Sequence, residues 1–110
     1  MSHDTTVAHR QVEISNSLGL HVRPAMKFVE LASQFQAEVR VRHNNNEFNG
    51  KSLLELTMMA AECGTRLQLE ARGPDAVEAI AALAELVLAR FHEDDSGGPT
   101  DASSDAEPPR

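Results

Sequence analysis

One stretch of this 110-residue chain brings together side chains suited to handling phosphate: Gly19-Leu20-His21-Val22-Arg23-Pro24. A neutral imidazole nitrogen is a nucleophile toward phosphorus, and His21 supplies an imidazole. Arg23 adds a permanent cation whose fork of N–H donors matches phosphate oxygens. Pro24 is tolerated in the first turn of a helix, where its missing N–H would have had no partner. His21 therefore falls at the expected N-cap, beside free backbone N–H groups and the positive end of a helix dipole, which favour a dianion once it arrives. Gly19 lets the chain turn without crowding the ring. On these residues alone the bland reading stays open: a solitary histidine before a helix is usually a polar loop residue, and Arg23 could be a solvated charge.

The elements that must position this stretch follow from the hydrophobic period. Val12 and Ile14 alternate with Gln11, Glu13 and Ser15, which predicts a half-buried strand. Ala25, Phe28, Val29, Ala32 and Phe35 lie on one helical face. Ala37, Val39 and Val41 predict a second strand, Asn44–Asn46 a turn, and Glu47–Asn49 a short returning strand. Ser52 followed by Glu55 fits a capping box opening a short helix with Leu53, Leu54, Leu56 and Met58. Leu67, Leu69 and Ala71 predict a fourth strand. Gly73-Pro74-Asp75 breaks the chain and caps a last helix with the face Val77, Ile80, Ala81, Ala84, Val87, Leu88 and Phe91. The order β-α-β-β-α-β-α predicts an α+β domain, a four-stranded sheet covered on one face by three helices.

Composition narrows the classes. The formal charge of −7 is uneven: six acids and the single base Arg110 make residues 92–110 −5, leaving −2 for residues 1–91. A near-neutral domain without a basic stripe excludes nucleic acid as an expected partner. Residues 1–10 read as a polar lead-in, 11–91 as the folded domain, and 92–110 as a disordered acidic tail rich in Asp, Ser, Gly and Pro. Cys63 is the only cysteine and reads as a small buried group, so no internal disulfide is expected. No signal-like N-terminus and no apolar run near ~20 residues predict a cytoplasmic protein without membrane insertion. His3, His9, His43 and His92 lack ligand spacing, and neither a metal nor an organic cofactor is expected.

The motifs GLHVRPA at Gly19–Ala25, FVELASQFQAEV at Phe28–Val39, NGKSLLEL at Asn49–Leu56 and ARGPDAVEAI at Ala71–Ile80 occur in one order and spacing. In these the chain resembles the HPr family, the histidine phosphocarriers of the bacterial phosphoenolpyruvate-dependent phosphotransferase system. The resemblance covers roughly Gln11 to Phe91 and implies that family's open-faced β-sandwich. It implies a monomeric phosphocarrier rather than an enzyme. His21 would accept a phosphoryl group on Nδ1 from Enzyme I and deliver it to an Enzyme IIA domain, with Arg23 assisting. Ser52 would be the serine phosphorylated by an HPr kinase/phosphorylase. Leu20, Lys51, Leu53, Leu54 and Leu56 would form the partner-docking surface. Val22 stands where alanine or threonine is commoner, and Leu18 where sugar-system members often carry asparagine. Leu18 and MKFVELASQFQAEV are similar to the nitrogen-related NPr branch, whereas Gly50-Lys51-Ser52 is similar to the kinase-regulated branch. The alternative is accordingly a regulatory binding module, whose phosphorylation state modulates partners rather than sugar uptake.

Overall fold

The computed structural model describes residues 6–92. Half of the expected lead-in (1–5) and all but the first residue of the expected acidic tail (93–110) lie outside them. The elements run β1 (Val7–Glu13), α1 (Val22–Ala32), β2 (Glu38–His43), β3 (Asn46–Asn49), α2 (Leu53–Met59), β4 (Arg66–Arg72) and α3 (Ala76–Leu88). The expected order β-α-β-β-α-β-α is the order observed. β1 begins at Val7, inside the stretch read as lead-in, and pairs with β4 from Val7↔Arg72 to Glu13↔Arg66. Polar His9, Arg10 and Gln11 conceal that strand, because they lie along an edge open to water.

The sheet order is β1-β4-β2-β3, with every neighbouring pair antiparallel. β2 returns into β3 through Asn44 and Asn45, both at positive φ (53° and 67°), the backbone of a type I′ hairpin turn that asparagine tolerates. One face of the sheet contributes Val12, Val39, Val41, Leu67, Leu69 and Ala71 to the core, where α1, α2 and α3 cover it. The other face carries charge. On it Glu70 is 4% exposed and lies 2.9 Å from Nη2 of Arg42 and 3.0 Å from Nη2 of Arg72.

Two helix readings change in the structure. α3 buries Ala76, Ala79, Ile80, Leu83, Ala84, Leu86 and Val87, while Val77, Ala81 and Leu88 face water. The helix is apolar around much of its circumference, so period alone gives two overlapping stripes, and packing selects the one through Leu83. Phe91 does not extend α3. It enters the core from a left-handed turn at Arg90–His92, and its carbonyl accepts a hydrogen bond from Lys27 Nζ at 2.8 Å. Asp75 stands at the N-cap of α3 but makes no side-chain cap bond. Its carboxylate instead accepts the N–H groups of Gln36 (2.9 Å) and Ala37 (2.8 Å), tying the start of α3 to the entry of β2.

Candidate functional site

The site begins with a loop held on three sides. Asn16 O accepts Gly19 N–H at 3.0 Å, Leu20 N–H bonds Ala61 O at 2.8 Å, and His21 N–H bonds Gly19 O at 3.0 Å. Gly19 sits at φ +77°, and a Cβ there would lie 2.5 Å from Ala61 O. The crowding that glycine avoids is thus with the neighbouring backbone rather than with the His21 ring. Leu20 turns inward and is 5% exposed.

His21 is the N-cap of α1, with extended backbone and no side-chain cap bond. Its carbonyl accepts Ala25 N–H at 2.9 Å, which starts the helix ladder. Pro24 falls in the first turn and is buried. Among the described residues, the N–H groups of Val22 and Arg23 find no acceptor in the chain, so two donors stay open at a helix start. The imidazole and the Arg23 side chain are both exposed, and no carboxylate pairs with Arg23 among the described residues. Beside the ring opens a cavity of about 320 Å³, lined by Leu18, Leu20, His21, Val22, Thr57, Ala60, Ala61 and Glu62. The wall is mainly apolar, with His21 and Val22 from the start of α1 and Glu62 among its lining residues.

α2 forms the second edge. Ser52 is its N-cap, and Oγ accepts Glu55 N–H at 3.2 Å. The reciprocal half of the expected capping box is absent: Glu55 Oε1 accepts Asn49 N–H at 2.7 Å instead, fastening the helix to β3. Leu53 and Leu54 are exposed, and so is Met58. Leu56 is fully buried, so it and Leu20 belong to the core rather than to a docking surface. A seven-residue helix must place one of its leucines inward to be held at all, and spacing alone did not say which. Lys51 is half-buried, its Nζ donating to Phe35 O at 2.7 Å, so its ammonium braces the loop after α1. Cys63, expected inside, is exposed in the turn before β4.

Sequence reasoning missed Asn16. It is 1% exposed, and Nδ2 donates to Gly19 O at 2.6 Å. Its only signal was a polar residue at the inward phase of a strand that is ending. Among the described residues, no group of three or more metal-ligating side chains comes together, and no helix is long and apolar enough to cross a membrane.

A surface imidazole at a helix mouth stands on an antiparallel sheet backed by three helices, the α+β arrangement of HPr-like proteins. The family model "PTS HPr component phosphorylation site" matches residues 8–89, and the chain belongs to the HPr family. It is 46% identical over 84 residues to the phosphocarrier protein HPr of Neisseria meningitidis, covering 76% of this chain and 94% of that one. To the phosphocarrier protein NPr of Escherichia coli strain K12 it is 43% identical over 84 residues, covering 76% and 93%. The crystal structure of HPr-C-His from Thermoanaerobacter tengcongensis superposes with a TM-score of 0.76 at 37% identity, covering 79% of this chain and 98% of the other. Like its family, the protein is a phosphocarrier of the phosphotransferase system and not an enzyme.

Proposed function

We propose that His21 is the phosphoryl acceptor, loaded by phospho-Enzyme I and unloaded onto an Enzyme IIA domain. The observation that carries this reading is the exposed His21 ring at the N-cap of α1, beside the two unpaired N–H donors of Val22 and Arg23. The lone pair of His21 Nδ1 attacks phosphorus. The bond from phosphorus to the Enzyme I donor atom breaks, and its electron pair leaves with that atom. Delivery reverses the roles: a nucleophile on Enzyme IIA attacks, and the pair of the P–N bond returns to the imidazole. The helix donors stabilise the charge on the transferring group without having to reorganise, and Arg23, exposed at the same helix start, swings onto it. The site is open to water and to a partner on one side, as a temporary carrier requires. Leu18, Val22, Leu53, Leu54 and Met58, all exposed, give the partner an apolar rim.

Incubation with Enzyme I, Mg²⁺ and labelled phosphoenolpyruvate should load one acid-labile phosphate, which added Enzyme IIA removes. Label persisting in His21→Ala would refute the assignment.

A second reading concerns Ser52, a half-buried residue already at a helix start. A phosphate there suits the helix dipole and adds charge beside the docking rim without refolding α2. In this reading a kinase sets the output, and the protein acts on partners as a regulatory module. An acid-stable phosphate formed with ATP and an HPr kinase/phosphorylase would support it. A Ser52→Asp variant that binds Enzyme I as tightly as the parent would count against it.

A further inference from the structure

We infer that Asn16 is a positioning residue for phosphoryl transfer, an inference that rests on His21 being the acceptor. The Gly19 carbonyl accepts two hydrogen bonds, from His21 N–H (3.0 Å) and from Asn16 Nδ2 (2.6 Å). The same Gly19 donates its N–H to Asn16 O at 3.0 Å, so one asparagine closes the loop through both backbone and side chain. The peptide that sets the direction of entry into His21 is thereby fixed from below. With its own N–H engaged at Gly19, His21 leaves the open donors to the next two residues of α1, where phosphate would lie.

The other end of the same amide shows that stability alone does not account for it. Asn16 Oδ1 is buried and has no hydrogen-bond partner among the described residues. A buried acceptor left without a partner is costly, and an apolar side chain of similar size would remove that cost. What the apolar side chain could not supply is the Nδ2 donor to Gly19. Asn16 therefore keeps a liability in exchange for the geometry of the loop that presents His21. It touches neither the phosphoryl group nor the docking rim, so its effect should fall on turnover and not on partner affinity.

The experiment compares Asn16→Leu and Asn16→Asp with the parent in steady-state phosphorylation by phospho-Enzyme I, with amide NMR spectra confirming the fold. Asn16→Leu removes both the donor and the unpartnered acceptor, whereas Asn16→Asp keeps the shape but replaces the donor with a second oxygen, a carboxylate facing the Gly19 carbonyl. Both should lower kcat by about tenfold while KM stays within about twofold, because displacing a reacting group by a fraction of an ångström is enough for that loss. Asn16→Leu should also melt at or above the parent temperature, separating positioning from folding. Unchanged kcat in a folded variant, or a rise in KM alone, would overturn the inference, and so would failure of both variants to fold. If the parent chain itself takes no label on His21, the phosphocarrier assignment falls first, a result distinct from a parent that loads and variants that load equally well.

Discussion

In the proposed transfer Arg23 and Gly19 would serve His21 in different ways, and substitution separates them. Arg23 is exposed and bonded to nothing else among the described residues, so its removal should spare the fold. Arg23→Ala is expected to slow loading of His21 by about 10- to 100-fold, with a thermal midpoint close to the parent's, as quench-flow and a melting curve would show. Gly19 is held by backbone geometry. Its φ of +77° and the 2.5 Å approach to Ala61 O leave no room for a methyl group. Gly19→Ala should lose about 2 kcal/mol in urea unfolding and load poorly as well. The places of His21, Pro24 and Ser52 at helix starts could be read from the sequence because each depends on its own chain neighbours. Asn16, Lys51 and Asp75 could not, since their bonds go to carbonyls and amides that only the folded chain brings near.

Among the elements, β4 carries the clearest pH dependence. The Glu70 carboxylate is held below the usual carboxylate range, chiefly by its hydrogen bond from Arg72 and then by the charge of Arg42, while burial opposes them. A carboxylate depressed by folding stabilises the protein above its unfolded pKa, and that contribution is lost as pH falls through the folded value. Urea midpoints should therefore decline below about pH 4.5, the ordinary carboxylate range, as acid protonates Glu70. Both arginines are about half exposed, so the pair is partly screened. Glu70→Gln should cost about 1–2 kcal/mol at neutral pH and flatten the acid limb. Asp75 should act in the same direction, its carboxyl lowered by the amides of Gln36 and Ala37. Asp75→Ala should release the entry to β2, seen as faster hydrogen exchange at Ala37. Strand and helix order followed from period, but the phase of α3 did not. A helix rich in alanine and leucine shows little contrast between its faces, and Leu83 reaches the core only because the sheet lies on that side.

For the whole molecule, a one-sided sheet and three helices form a platform that leaves the mouth of α1 and the rim of α2 on one exposed surface. The core beneath that surface includes Leu20, Phe28, Leu56 and Phe91, so the site stands on packed side chains. Phe91→Ala should cost about 3–5 kcal/mol in urea unfolding and loosen the carbonyl that Lys27 holds. The most direct test of the account is to phosphorylate the protein with Enzyme I and phosphoenolpyruvate and locate the phosphorus by ³¹P–¹⁵N NMR. A single phosphoramidate at Nδ1 of His21 is the predicted result. Phosphorus on another residue, or a His21 ring left unmodified while the protein carries label, would contradict it.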